Sequence, residues 1–378
     1  MLRGQPSSWT AAISRFDWKR AVTSQEDTPG ATLDIADLSR QFGSVVAVDH
    51  VSLTLAHGEI VAILGPSGSG KSTLLGMVGG QLRPDSGDIR ISGSSIVNLP
   101  PNKRPTATVF QDYALFPHLT VAENIAFGLR MHRWQKADME RQVAHMLELV
   151  GLTGYERRAI SQLSGGQRQR VATARALAVQ PRVLLLDEPL GALDRQIRLR
   201  LQKELGELLR RLRMTALLVT HDQQEAFSMA DRVAVMRNGS LLQVAAPGEL
   251  YSSPNDEFVA TFLGKGRLFD GKIVTLHSGG LTVEVEGAVF TCRGRGQPGN
   301  SVKVLIRPEH VHIHPNDPAS ATWRNLTVLE VTPAGETTDI VLGCGEFRIE
   351  SVVLGQAVNK PGDTVAVSLS INGPTIMP

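Results

Sequence analysis

The chain has 378 residues, enough for two or more domains. Hydrophobic residues make up 42% and charged residues 20%, the balance of an ordinary globular protein rather than a disordered or fibrous one. A formal net charge of +2 gives no electrostatic case for nucleic acid or anionic lipid as a partner, and no apolar run approaches the length of about 18 residues that a membrane span needs.

Residues 1–31 are polar, rich in Ser, Thr, Gln and Pro, and lack a continuous apolar core. They are expected to be a poorly ordered extension rather than a secretory signal. Strand-like text begins at Leu33–Ala36 and continues at Val45–Val48 and Val51–Leu55. Ile60–Leu64 reads as a buried strand, and Thr73–Val78 as the start of a helix. Further apolar runs lie at Ala107–Phe110, Val183–Leu186, Ala216–Val219 and Val233–Met236, with helical stretches at 121–130, 136–150 and 167–179. Strands interleaved with helices predict an α/β parallel core, and the strand-free block 119–179 predicts an inserted helical subdomain. Arg195–Arg213 sets Leu at helical spacing among arginines, the pattern of a solvated helix face. After Phe262 short alternating runs appear at 271–274, 281–285, 302–306, 326–328 and 364–369, punctuated by Gly, Pro and Asn. They predict a small all-β barrel or sandwich, with the boundary near Leu263–Gly266. Cys292 and Cys344 are far apart and read as free thiols. His310, His312 and His314 alternate, but no acidic or Cys residue is spaced to complete a metal site with them.

Gly65-Pro66-Ser67-Gly68-Ser69-Gly70-Lys71-Ser72-Thr73 fits G-x-x-x-x-G-K-[ST] between a strand and a helix. Glycines let backbone amides turn inward around phosphates, and the helix N-terminus adds a favourable dipole. Lys71 would neutralise β- and γ-phosphate charge, and Ser72 would place a hydroxyl on Mg²⁺. Asp187 and Glu188 end the apolar run at 183–186. In a P-loop ATPase the first such acid supports the metal, and the second lies where water attacks the γ-phosphate. The loop alone does not separate kinases, GTPases and transport ATPases.

Leu163-Ser164-Gly165-Gly166-Gln167 resembles the signature of ATP-binding cassette (ABC) proteins. The resemblance covers residues 33–378 and implies ATP and Mg²⁺ as the cofactors. It implies that Asp187 supports the metal, that Glu188 is the general base, and that His221 donates to the γ-phosphate and orients Glu188. Gln111, in Val109-Phe110-Gln111-Asp112, matches the Q-loop, which touches the metal and water side of the nucleotide and faces the membrane partner. Gly191-Ala192-Leu193-Asp194 resembles the D-loop, so Asp194 is expected at the partner subunit. Phe42 takes the place of the aromatic residue that stacks on adenine. One P-loop and one signature per chain imply a head-to-tail dimer. There Ser164, Gly165, Gly166 and Gln167 of one copy complete the site built on Lys71 of the other.

Tyr113–His118, Thr220–Ala226, Pro247–Tyr251 and Arg307-Pro308-Glu309 resemble bacterial importer ATPases of the polyamine, ferric iron, sulfate and aminoethylphosphonate group, with a lean toward polyamine. The resemblance implies a cassette at 32–264 with its helical subdomain at 119–179, and an oligonucleotide-fold-like, TOBE-type domain at 265–378. It also implies a peripheral place on the cytoplasmic face of the inner membrane. The implied partners are two transmembrane permease subunits and, indirectly, an extracytoplasmic solute-binding protein, with no nucleic acid. The competing reading is a soluble cassette ATPase that transports nothing. Such translation-type members usually carry two cassettes, and repair-type members insert a long coiled coil; this chain has neither.

Overall fold

A computed structural model describes residues 31–191, 193–277, 280–314, 320–370 and 373–377. The extension expected at residues 1–31 lies, except for Ala31, outside the described residues, as does Ala192. Contacts divide the chain into two compact units between Pro247 and Gly248.

In the first unit, β1 (Leu33–Phe42) and β2 (Val45–Leu55) form a hairpin whose turn places Gly43 at φ 57°. β4 (Ser86–Ile91) pairs with the other edge of β1, and β5 (Ser94–Ser95) extends the antiparallel sheet. The second sheet contains β3 (Ile60–Leu64), β6 (Thr106–Val109), β7 (Val183–Asp187), β8 (Thr215–Thr220), β9 (Arg232–Arg237) and β10 (Ser240–Ala245), in the order β10-β9-β3-β8-β7-β6. It is parallel except at β10. β3 and β8 are buried along their whole length, which is why they read as continuous apolar runs. Helix α1 (Lys71–Gly79) contributes Leu74, Leu75, Met77 and Val78 to a core shared by both sheets.

The strand order places β3, β8, β7 and β6 side by side. Their carboxyl ends therefore bring four separate loops to one edge, where open α/β sheets bind ligands. The helical insertion consists of α2 (Val121–Met131), α3 (Lys136–Leu149) and α4 (Gly165–Ala178), with α2 and α3 both packed on α4. Thr120 and Glu123 close a reciprocal cap at the start of α2. Helix α5 (Arg195–Arg211) buries Leu201, Leu205, Leu208 and Leu209. Its polar face is only partly solvated, because Glu204 is buried against Arg170 at 2.8 Å. A short α6 (Gln223–Met229) follows β8.

The second unit begins one residue into α7 (Pro247–Ser252) and continues with α8 (Glu257–Phe262). One antiparallel sheet takes β11 (Arg267–His277), β12 (Gly280–Val285), β13 (Ala288–Cys292), β14 (Ser301–Ile306) and β20 (Thr375–Ile376). The other takes β15 (Val311–His314), β16 (Trp323–Pro333), β17 (Thr337–Cys344), β18 (Phe347–Leu354) and β19 (Thr364–Leu369). The two sheets close on one apolar core that includes Val283, Trp323 and Leu342, as an all-β reading of this region requires.

Sequence texture put the domain change near Leu263–Gly266, where the strands begin. The contacts divide the chain earlier because α7 and α8 pack on the β unit. Arg307 donates to the Tyr251 carbonyl at 3.0 Å with its guanidinium 3.7 Å from the Tyr251 ring centroid, and Ala260 joins a cluster with Leu305 and Met377. Cys292 is buried and Cys344 exposed, both free. His312 and His314 each bond a serine hydroxyl, of Ser370 and Ser368. No helix of the described residues is long and apolar enough to cross a membrane.

Candidate active site

The loop between β3 and α1 is held in place by backbone packing. A Cβ added to Gly65 would lie 2.2 Å from the Met236 carbonyl oxygen, and one on Gly70 only 2.0 Å from that of Ala47. Gly70 also has φ 103°, so neither position admits a side chain. Gly239 N donates to the Ser69 carbonyl at 3.0 Å, pinning the loop to the β9–β10 turn. Gly70 occupies the N-cap of α1 and brings no side-chain acceptor, which leaves first-turn amides open to an anion. Lys71 folds back into the loop, its Nζ donating to the carbonyls of Gly65 at 2.9 Å and Pro66 at 2.8 Å. Burial lowers its affinity for a proton, and the carboxylates of Glu188 and Asp187 oppose that effect. The ammonium thus sits between backbone oxygens and two acids, a place from which it can transfer to phosphate oxygens.

Asp187 ends β7 beside this loop and accepts a hydrogen bond from Ser72. Its carboxyl is raised above the usual range, chiefly by burial and then by Glu188, while Ser72 and Lys71 pull it back. A cavity of about 210 Å³ opens here, lined by Ser72, Thr108, Phe110 and Asp187 among others. The Ser72 hydroxyl and the Asp187 carboxylate on its wall are hard oxygen donors, the kind that suit Mg²⁺.

Glu188 leaves the strand with φ 43°, in the left-handed region, and its amide donates to the Val219 carbonyl of β8 at 2.9 Å. That turn aims the carboxylate at His221, whose Nδ1 lies 2.9 Å from Glu188 Oε1. Gln111, after β6, joins from the other side: a Cβ at Gly191 would be 3.6 Å from both Gln111 Nε2 and Glu188 Oε2. Lys71, Ser72, Asp187, Glu188, Gln111 and His221, scattered over 150 residues of sequence, therefore share one edge of the sheet.

Phe42 lies at the tip of the β1–β2 hairpin, 43% exposed, with the Arg40 guanidinium 4.7 Å from its ring centroid. Arg40 is in turn fixed by Asp85, which also accepts from Gln41 N at 2.7 Å. The ring is thus presented on a braced strand end. Ser164 caps α4 reciprocally with Gln167: its Oγ accepts from Gln167 N at 3.3 Å, and Gln167 Oε1 accepts from Ser164 N at 2.9 Å. Gly165 and Gly166 pack against Leu193, Ile197 and Leu201, so the signature neighbours the start of α5 rather than Lys71 of its own chain. Asp194 caps α5, accepting from Ile197 N at 3.0 Å.

Sequence reading missed the support behind His221. Thr220 Oγ1 donates to Glu225 and accepts from Asp222 N at 3.0 Å, and Asp222 caps α6 while pairing with Arg198 at 3.2 Å. The acid spacing Asp222–Glu225 was visible, but nothing in it announced that Glu225 is buried.

The family model described as ABC transporter matches residues 48–191, and that described as TOBE domain matches residues 304–372. The chain is 44% identical over 287 residues to the spermidine/putrescine import ATP-binding protein PotA of Nitrosomonas eutropha, covering 75% of this chain and 79% of that protein. It is 40% identical over 337 residues to the PotA protein of Mesoplasma florum, covering 89% and 94%. It is also 43% identical over 344 residues to the sulfate/thiosulfate import ATP-binding protein CysA 2 of Chromobacterium violaceum, covering 89% and 93%.

Proposed function

We propose, for a chain that belongs to the ATP-binding proteins of ABC importers, that it hydrolyses MgATP in a head-to-tail dimer to drive polyamine uptake. The observation that carries the catalytic part is the Glu188 carboxylate, held by His221 at 2.9 Å on the same sheet edge as Lys71 and Asp187. Adenine stacks on Phe42, and the phosphates enter the Gly65–Thr73 loop. Lys71 exchanges the carbonyls of Gly65 and Pro66 for β- and γ-phosphate oxygens. Ser72, Asp187 and Gln111 would hold Mg²⁺, which when bound neutralises phosphate charge. Glu188 accepts the proton of the attacking water, His221 orients Glu188 and presents its other nitrogen to the γ-phosphate, and Gln111 positions the water. Ser164, Gly165, Gly166 and Gln167 of a second copy close the site: the Ser164–Gln167 cap holds the turn and the Gly165 and Gly166 amides face the phosphate, and Asp194 sits at that seam.

The dimer works at the cytoplasmic face of the inner membrane on two permease subunits, supplied by an extracytoplasmic binding protein. The Tyr113–His118 segment faces these subunits. On the helical insertion, a mostly apolar cavity of about 320 Å³ between α2 and α3, lined by Ala122, Ala126, Val143 and Ala144 among others, receives side chains of a docking permease helix. Polyamine cargo is supported by the names of the spermidine/putrescine relatives. Sulfate is the second reading, favoured by the similar identity to the sulfate/thiosulfate protein.

Reconstitution with the permeases tests both. A spermidine-loaded binding protein should stimulate ATP hydrolysis, and stimulation by the sulfate-loaded one alone would replace polyamine with sulfate. Glu188→Gln should keep ATP binding and lose turnover by about 10²–10⁴-fold. Near-normal hydrolysis by that variant would remove Glu188 from the role of base.

A further inference from the structure

Arg175 lies in the last turn of α4, the helix whose first turn carries the signature. Its guanidinium reaches a loop 61 residues earlier in the chain, where Nη1 donates to the Ala114 carbonyl at 2.6 Å and Nη2 to that of Tyr113 at 2.8 Å. Tyr113 and Ala114 have φ 65° and 45°, a left-handed pair that non-glycine residues adopt only where surrounding contacts impose it. The loop starts at Gln111 and is closed by Tyr113 N donating to Phe110 O at 2.9 Å. Arg175 also lies 5.7 Å from the Phe116 ring centroid; Phe116 packs on Phe127 at 4.3 Å, and its backbone is bracketed by Asn124. The planar fork of an arginine matches two successive carbonyls, a geometry the single ammonium of lysine serves less well.

We infer that Arg175 is a positioning residue that fastens the Gln111–Phe116 loop to the signature helix, so that displacement of the loop by a membrane partner moves Ser164 and Gly165. A hydrogen-bonded helix connects the two ends over about 16 Å, at 1.5 Å per residue, and transmits motion as a stiff element. The inference rests on the proposal that the Tyr113–His118 segment faces the permeases. Gln111 begins the clamped loop, but the phosphate-binding Gly65–Thr73 loop, Glu188 and His221 lie outside the clamp. The defect expected on breaking it is therefore in coupling rather than in nucleotide binding.

The test uses full-length Arg175→Gln and Arg175→Lys, first alone and then assembled with the permeases. In the isolated chain, hydrogen exchange of amides 112–118 should quicken in Arg175→Gln, with the ATP KM within about twofold of wild type. In the assembly, stimulation by the permeases should fall about tenfold, and Arg175→Lys should restore part of it. Unchanged exchange of 112–118, or faster exchange with full stimulation, would overturn the inference. If the wild-type assembly shows no stimulation, the coupling proposal fails instead, and the exchange measurement still decides whether the clamp exists. If Arg175→Gln does not fold, Arg175→Lys carries the same readouts, with a smaller loss of stimulation expected; wild-type values would refute the clamp.

Discussion

Replacing Glu225 with Gln isolates one charge behind the site. Glu225 is 3% exposed; one carboxylate oxygen accepts from Thr220, and the other is buried with no hydrogen-bond partner. Burial is the largest influence on it. Asp222 and Glu188 add negative charge, Thr220 and Arg198 act in the opposite sense, and the carboxyl is pushed up to about 7 from its ordinary 4.5. Between those two pH values the folded protein binds more protons here than the unfolded chain does. Stability from this group is therefore lost as pH rises through the window and levels off above about 7. A separation of roughly 2.5 units corresponds to about 3 kcal/mol. Gln has nearly the same shape and keeps an acceptor for Thr220, but does not ionise. Its amide adds a buried donor whose cost does not vary with pH, so the diagnostic quantity is the slope rather than the offset. Urea unfolding of both proteins across pH 4.5–8 should show the variant gaining about 3 kcal/mol on the wild type. A difference that stays flat across that range would refute the reasoning.

Mixing Lys71→Ala chains with Ser164→Arg chains places both lesions in one site of a heterodimer and leaves the other site whole; partial ATPase activity should return. Hydrolysis by a monomer at a rate per chain independent of protein concentration would contradict the composite site. A chain ending at Pro247 should stay folded and bind ATP, because every nucleotide-contacting candidate from Phe42 to His221 precedes it. A chain ending at Leu263 should aggregate more, since α8 loses the Leu305 and Met377 side chains that cover Ala260. Equal solubility of the two truncations, or loss of ATP binding by a folded shorter one, would place the division elsewhere.

The Gly65–Thr73 loop was legible because backbone geometry dictates its residues: Gly65 and Gly70 are glycine for want of room, and such constraints leave a pattern in local text. The buried strands β3 and β7 announced themselves as apolar runs, and each ends at the chemistry. Two kinds of feature left no such trace. Arg175 is one arginine among several in α4, and only folding shows that it points at carbonyls rather than at water. Glu225 sits on a helix of seven residues, too short for periodicity to tell its buried side from its wet one. Helices α7 and α8 resembled a continuation of the cassette, because local pattern records helicity and not which neighbour a helix packs against.

The backbone of Glu188 bears on how such a protein changes over time. A glutamate at φ 43° is held where glycine or asparagine would rest more easily, at a cost of about 1–2 kcal/mol. Screening random variants for heat tolerance alone would therefore favour replacing the residue we assign as the base. The sturdier descendants would still close on ATP, and would be locks rather than engines.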